Sequence, residues 1–296
     1  MKINLWKGYK MKKIALTSLL AALAVSGAHA ANTIDGNPLY MPKAGHFYSV
    51  TSLESHTKNE TPWTLAEDFG YGISDKLAVE VSTSLTENDV FDNVAWNNVA
   101  LKATFRALDM GAWKADVYGG VNVSGNPDAW LIPGGGLYVH SKAADVNEWF
   151  NEDLTGYAWT AGVRGGYTTA QFTVAGHVAY NYMNSEMFNW GDKGLRTLSL
   201  GLDGQFVINN SLNLVAGVEY TGIINDHMAY DDLESPLKTK NEGTWTGMFG
   251  VNYNIDATKF VGAYINGSMH HHGGTNADEW EWNDGFGFGV KFGIDF

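Results

Sequence analysis

The last fifteen residues of the chain, from Trp282 to Phe296, follow a strict two-residue alternation. Every even-numbered position from Phe286 to Phe296 is apolar, whereas the odd-numbered positions between them hold glycine, Lys291 or Asp295. Successive side chains of a β-strand point to opposite faces, so the pattern predicts a strand with one apolar and one polar face. Most of the preceding chain repeats this alternation.

Eleven upstream segments read as further strands. In the second of them Trp63, Leu65, Phe69 and Tyr71 share one face, and Glu67 is the exception on that face. For the segments 46–54 and 259–269 the sequence does not decide which face is apolar. The remaining predicted strands span about 77–85, 99–106, 113–124, 157–167, 172–182, 196–207, 212–222 and 244–255. With the terminal segment, the prediction is twelve strands.

The connections between these segments alternate in length. Those near residues 73, 109, 168, 209 and 256 are short, whereas those at 55–61, 87–95, 125–155, 183–194, 223–243 and 270–281 are longer and polar. An even-stranded antiparallel barrel with short periplasmic turns and long extracellular loops has this pattern. No stretch of the mature chain reaches 18 consecutive apolar residues, so a bilayer protein of this sequence has to be a closed barrel.

The composition of the two strand faces separates a membrane barrel from a soluble one. The face opposite the apolar one consists of glycine, serine, threonine, asparagine and charged residues, which could not fill the core of a small soluble barrel. Aromatic residues also lie near both strand ends on the apolar face, as Trp63 and Tyr71 do. The sequence therefore favours an all-β transmembrane antiparallel barrel over a secreted β-sandwich.

The N-terminal region has the features of an export signal. Residues 11–30 combine two lysines, an apolar run too short to span a bilayer as a helix, and small residues that end at Ala30. Met11 is expected to be the true start. The predicted organisation is a signal peptide at 1–30, a periplasmic lead-in at 31–43 without periodicity, and the barrel at 44–296.

Charge and cysteine content limit the function classes. Residues 1–30 contain five lysines and no acids, so the mature chain has 19 − 5 = 14 Lys and Arg against 32 Asp and Glu, a formal net charge of −18. This charge makes nucleic acid an improbable partner. The chain has no cysteine, which removes disulfides and thiolate metal sites, and nothing in the sequence calls for a cofactor.

The signal peptide, the twelve alternating segments and the terminal FGVKFGIDF resemble Gram-negative outer-membrane β-barrel proteins of porin-like type. In that group the last strand is the signal that the barrel-assembly machinery reads, and Phe292, Ile294 and Phe296 match the pattern. The resemblance implies an outer-membrane location, contact with membrane lipid and lipopolysaccharide, and handling by periplasmic chaperones. It does not identify a subfamily.

The polar face predicts a set of inward-facing ionisable side chains. They could line a channel and select solutes, or they could pair with one another and brace a barrel without a continuous pore. The sequence leaves both open, and the frequent small residues on this face favour a narrow pore. The predicted lumen residues are Glu80, Lys102, Arg106, Lys114, Asp116, Arg164, His177, Asp203, Glu219 and Lys291.

The resulting functional hypothesis is a passive channel for small polar solutes or ions. Acid-rich extracellular loops would attract cations by their field, which predicts cation preference. The loop 125–155 holds apolar residues that suit either an inward constriction or an external flap. A first alternative is a non-conducting barrel that displays its loops for adhesion or envelope stabilisation.

A second alternative is an outer-membrane hydrolase. The loop after residue 223 contains Asp226-His227 and Asp231-Asp232, but the spacing departs from that of omptin-like proteases. His177 has no serine at its neighbouring same-face positions, as a lipase-type barrel would require. Adjacent histidines such as those at 270–272 point in different directions, so a metal site there is disfavoured as well. The sequence therefore predicts a protein that is not an enzyme.

Overall fold

A computed structural model of the chain describes residues 36–56, 63–87, 94–124, 156–185, 195–224, 227–228, 237–238, 243–272, 279–282 and 286–296. Its dominant element is one antiparallel sheet that closes on itself. Within the described residues, no helix has the length and hydropathy needed to cross a membrane.

Fifteen strands follow one another along the described chain, and twelve of them form the barrel wall. Two others, β10 and β11, form a small separate hairpin, and β14 pairs with the upper end of β13. The strands are β1 Phe47–His56, β2 Trp63–Ser74, β3 Leu77–Glu87, β4 Val94–Met110, β5 Trp113–Ser124, β6 Gly156–Thr168, β7 Phe172–Ser185, β8 Leu195–Asn209, β9 Leu212–Ile223, β10 His227–Met228, β11 Leu237–Lys238, β12 Gly243–Asn254, β13 Lys259–His272, β14 Glu279–Trp282 and β15 Gly287–Asp295.

Each wall strand pairs with the wall strand that precedes it in the chain, and the ring closes between β1 and β15. Backbone hydrogen bonds run both ways at the closure, from Phe47 N to Phe296 O at 2.7 Å and from Phe296 N to Phe47 O at 2.9 Å. All edges of the twelve-stranded sheet are therefore paired, as a lipid environment requires. The predicted fold class, strand number and alternation of short and long connections are confirmed.

The short turns close with polar side chains that bind the backbone locally. Asp109 Oδ1 accepts from Gly111 N at 3.1 Å, and Asn209 Oδ1 accepts from Ser211 N at 2.9 Å. Asp256 Oδ1 accepts from Thr258 N at 2.8 Å. Asp and Asn favour such turns because their carbonyl oxygens reach the backbone N–H two residues on.

The two faces of the wall separate apolar from polar side chains. Outward positions such as Leu101, Val163 and Phe288 are about half exposed, whereas inward polar positions such as Asp116 and Thr221 are almost fully buried. The structure also resolves the two strands whose parity the sequence left open. In β1 the inward residues include Tyr48 and Val50, and in β13 they include Phe260 and Tyr264.

Inward-facing glycines make room for the large inward side chains of adjacent strands. Tyr48 lies across from Gly70, Tyr118 across from Gly162, and His177 across from Gly201 in the strand register. A Cβ atom on any of these glycines would approach the facing ring to 2.5 Å or less. Much of the chain's glycine therefore serves packing inside the barrel rather than flexibility.

Candidate functional site

Three charged side chains meet on the inner wall at the periplasmic ends of β4, β5 and β6. Asp116 is almost fully buried and accepts from Arg106 Nε at 2.7 Å and from Arg164 Nε at 2.7 Å. Arg106 Nη2 adds a further bond to Asp116 at 3.2 Å, which makes its contact bidentate. We call Arg106, Asp116 and Arg164 the arginine cluster; it carries two cations around one carboxylate.

The arginine cluster also holds a stretch of chain inside the barrel. Residues 36–43, the N-terminal segment, precede β1, and Leu39 within it is only 2% exposed. Arg106 Nη2 donates to the backbone oxygen of Leu39 at 2.7 Å, and Arg164 Nη2 donates to that of Tyr40 at 3.1 Å. On the opposite side Tyr40 donates its hydroxyl to Asp295 Oδ2 at 3.1 Å.

The N-terminal segment spans the lumen from wall to wall. At one end a Cβ on Gly36 would lie 2.2 Å from a methyl group of Val215 on β9, and Gly36 has a φ of 88°. At the other end a Cβ on Gly72 of β2 would lie 2.0 Å from the backbone oxygen of Lys43. Only glycine fits this closely, so both ends of the segment pack directly against the wall.

A second cluster lies farther from the periplasmic side of the wall and contains more acidic than basic groups. His177 Nδ1 lies 3.1 Å from Asp203 Oδ2, and His177 Nε2 lies 2.7 Å from Glu219 Oε2. Thr221 donates to Glu219 Oε1 at 3.0 Å. We call His177, Asp203 and Glu219 the histidine cluster; it places one imidazole between two carboxyl groups.

A ladder of neutral polar side chains continues from the histidine cluster along β6 to β9. Thr221 Oγ1 lies 2.7 Å from Ser199 Oγ, and Asn181 donates to Ser199 at 3.2 Å. Thr160 in turn donates to Asn181 Oδ1 at 2.7 Å. Within the described residues, no group of three or more His, Cys, Asp or Glu side chains has an arrangement that could hold a metal ion.

The strand register places the two clusters on one row of cross-strand neighbours. The row runs from Arg106 through Asp116, Arg164 and His177, and it continues through Gly201 to Glu219. Arg106 lies near the periplasmic end of its strand, whereas Glu219 lies near the middle of β9, so the row climbs around the wall because barrel strands are tilted.

Glu80 and Lys102 form another pair on the inner face of β3 and β4. Their charged atoms are 2.5 Å apart, and the Tyr48 hydroxyl also donates to Glu80. A small pocket lies beside this pair and is bordered by Tyr40 and Arg164. Open space thus remains between the N-terminal segment and this part of the wall.

The other two predicted lumen residues lie apart from these clusters. Lys114 is partly exposed near the periplasmic rim, with its Nζ 3.8 Å from Asp109 Oδ2. Lys291 lies on the inner face of β15, with its Nζ 5.7 Å from the ring centroid of Phe260. The structure thus brings eight of the ten predicted side chains into three groups and leaves these two separate.

Two further inward carboxylates were not predicted. Glu54 on β1 accepts from the Tyr264 hydroxyl at 2.7 Å and from Asn266 Nδ2 at 3.1 Å. Asp68 on β2 is 7% exposed and also faces inwards. Glu54 was missed because β1 and β13 lack a clear apolar face, whereas the alternation of β2 was sufficient to place Asp68.

Several predictions fall outside what the structure describes. The loop 125–155 and the acidic residues Asp226, Asp231 and Asp232 are not among the described residues. For His227 and the histidines 270–272, the structure gives the strand but not the side chains.

Comparison with known proteins yields structural similarity and no sequence relatives. No family model matches the chain, and no curated protein does. The solved NanC porin matches with a TM-score of 0.50 and 10% identity, over 84% of this chain and 98% of that chain. The fold is that of a porin-like outer-membrane barrel.

Two other solved barrels match less well in shape. The KdgM porin has a TM-score of 0.48 and 8% identity, over 84% of this chain and 99% of that chain. The translocator domain of the autotransporter NalP from Neisseria meningitidis has a TM-score of 0.46 and 12% identity, over 93% of this chain and 99% of that chain.

Proposed function

We propose that this protein is a narrow outer-membrane channel for passive diffusion of small polar solutes or ions. The observation that carries the proposal is the ionisable row on the inner wall, which runs from Arg106 through His177 to Glu219, whereas the outer face is mainly apolar. The charges of this row pair with one another, and their place on the inner face puts them along any path that a solute would follow through the barrel.

The proposed channel is narrow at its periplasmic end. The N-terminal segment crosses the lumen there, and the side chains around it are largely buried. Solutes would pass beside this segment, next to Glu80 and Lys102, where a small pocket lies. We therefore expect a small conductance and exclusion of large solutes.

The second part of the proposal is that the channel prefers cations. Four inward carboxylates, Glu54, Asp68, Asp203 and Glu219, lie above the arginine cluster, and the mature chain has a formal net charge of −18. A lumen and mouth of this sign would raise the local concentration of cations.

Single-channel recording tests both parts. Folded, heat-modifiable protein in planar bilayers should give small discrete conductance steps, and a salt gradient should give a reversal potential of cation-selective sign. Absence of conductance from folded protein would refute the channel, whereas an anion-selective reversal potential would refute only the cation preference.

A non-conducting barrel is the second candidate, favoured by the N-terminal segment and by the tight pairing in the arginine cluster. Such a barrel would display its loops for adhesion or envelope stabilisation. Liposome swelling in small sugars separates the two candidates, because only an open lumen admits the sugar.

The hydrolase alternative rests on Asp226 and His227; it would gain support if activity on peptide or lipid were lost on replacing both.

We also propose that export and assembly follow the usual outer-membrane route. Cleavage near Ala30 would release the mature chain to periplasmic chaperones, and Phe292, Ile294 and Phe296 would present the assembly signal. N-terminal sequencing of the membrane-inserted protein checks the cleavage. Replacing Phe296 by serine should reduce the inserted fraction in cells but not refolding into detergent.

A further inference from the structure

A polar cluster interrupts the lipid-facing surface of the barrel. Ser49 and Thr51 on β1, Glu67 on β2 and Thr83 on β3 all share the outward face with apolar neighbours such as Phe69. Among the described residues, the other outward-facing charges lie at strand ends, as Arg196 and Lys259 do. This cluster is instead in the middle of its strands.

The cluster is one connected unit. Ser49 Oγ donates to Glu67 Oε1 at 2.5 Å, and Thr51 Oγ1 donates to Glu67 Oε2 at 2.5 Å. Thr51, Glu67 and Thr83 are direct cross-strand partners, so they form a row about 10 Å long across three strands. We call these four residues the outer polar patch.

The outer polar patch lies near the centre of the membrane band. Glu67 is four residues from Trp63 and four from Tyr71, the outward aromatics at the two ends of β2. At about 3.4 Å per residue and a tilt of about 40°, each aromatic is about 10 Å from Glu67 in depth. A charged side chain that faces hydrocarbon destabilises a barrel most at this depth.

Ser49 and Thr51 are small outward residues between larger ones. β15 presents Phe292 and Ile294 beside them, β2 presents Phe69, and the outward Leu53 follows Thr51 on β1. Small residues between larger ones allow two membrane surfaces to approach closely, and polar groups between them can then hydrogen-bond away from lipid.

We propose that the outer polar patch is the contact surface between two copies of this chain in the outer membrane. Two copies inserted in the same direction are related by an axis along the membrane normal, which brings equal depths together. A second copy therefore presents a polar patch at the required depth, whereas another membrane protein would need one there independently. The patch also contains both hydroxyl donors and a carboxylate acceptor, as a self-complementary two-fold contact requires.

Contact between two patches would remove Glu67 from lipid. Each hydroxyl of Ser49 and Thr51 carries one hydrogen, so in the contact it can donate to Glu67 of the other copy in exchange for the bond to Glu67 of its own copy. Thr83 lies on the side of Glu67 away from Ser49 and Thr51, so hydroxyl groups border the carboxylate on both sides. The proposal requires only insertion in a bilayer and is independent of conduction.

Site-specific crosslinking tests the contact directly, because the chain has no cysteine. Single variants Leu53→Cys and Ser55→Cys introduce a thiol on the outward face of β1 beside the patch, and Val178→Cys introduces one at an outward position on β7, across the barrel from β1. With a short bis-maleimide in vesicles, we expect a several-fold higher yield of crosslinked dimer for the β1 variants than for Val178→Cys. Equal yields at both walls, or no dimer at β1, would overturn the proposal.

The role of Glu67 is tested in the same background. Glu67→Leu in Leu53→Cys should reduce the dimer yield to that of Val178→Cys, and light scattering in mild detergent should shift from a dimer to a monomer mass. Heat modifiability verifies folding of each variant. An unchanged dimer yield in folded Glu67→Leu protein would contradict the proposal, as would a crosslink in native membranes to a different protein.

Discussion

The arginine cluster and the histidine cluster are built on one register row but with opposite charge. In the first, two guanidinium groups surround the carboxylate of Asp116, and their spare donors hold the backbone of the N-terminal segment. In the second, two carboxylates surround His177 and connect to neutral hydroxyl and amide groups. By formal charge the arginine cluster is thus cationic and the histidine cluster is anionic.

The difference suggests a division of roles along the proposed channel. The arginine cluster anchors the segment that narrows the lumen, so it acts mainly on pore size and stability. Within the described part of the chain, the histidine cluster is hydrogen-bonded to wall residues, so its charge acts mainly on ion preference. Each of the following predictions separates one cluster from the other.

Removing the N-terminal segment should have the largest effect. A refolded chain that begins at residue 44 loses the atoms that Arg106 and Arg164 hold inside the barrel. We expect a several-fold increase in single-channel conductance, because cross-section limits conduction in a narrow pore. A chain that begins at residue 36 retains the segment and should conduct like the full mature protein. Equal conductance of all three would show that the segment does not limit flow.

Arg106→Leu should cause the next largest change, in stability. It leaves Asp116 buried with one cationic partner and removes the donor to Leu39. Breaking a buried ion pair in this way costs about 3–5 kcal/mol, which urea unfolding in lipid vesicles can measure. Arg106→Lys keeps the charge but loses the bidentate contact, so its loss should be intermediate. A loss below about 1 kcal/mol for Arg106→Leu would mean that water solvates Asp116.

Charge changes in the two clusters should shift ion preference in opposite directions. Glu219→Gln removes a negative charge from the histidine cluster and should lower the cation-to-anion permeability ratio; Arg164→Gln should raise it. Reversal potentials in a salt gradient measure both. Asp256→Asn makes the same change of charge as Glu219→Gln, but at an exposed turn away from both clusters, and should leave the ratio nearly unchanged. Shifts of the same sign in the two cluster variants would refute the division of roles.

The smallest effect is expected at an exposed turn and concerns the pH dependence of stability. Hydrogen bonds from the backbone and side chain of Thr258 lower the pKa of Asp256 from 3.8 to about 2. Because the folded pKa is lower, the ionised turn stabilises the folded state above pH 3.8 and loses this contribution as the pH falls toward about 2. Asp256→Asn should remove this small dependence, as a pH series of unfolding curves would show. It should leave conductance and ion preference unchanged, unlike the changes in the two clusters.

The sequence alone determined the barrel. Alternation in twelve segments defined the strands, and connection length defined which ends carry turns. Period-two alternation is local information, because the direction of a side chain from a strand depends only on its position in that strand. The inward direction of Glu80, Arg106 and Asp203 could be predicted for the same reason.

Only the tertiary structure decided which inward side chains meet. The grouping of Arg106 with Asp116 and Arg164 depends on the register of three strands, and alternation within one strand does not specify its offset from the next. The position of Leu39 and Tyr40 inside the lumen could not be predicted from the sequence either, because residues 36–43 have no periodicity and are held by contacts with distant strands. Glu67 was visible as an exception within its segment, but its bonds to Ser49 and Thr51 emerged only when β1 and β2 were paired.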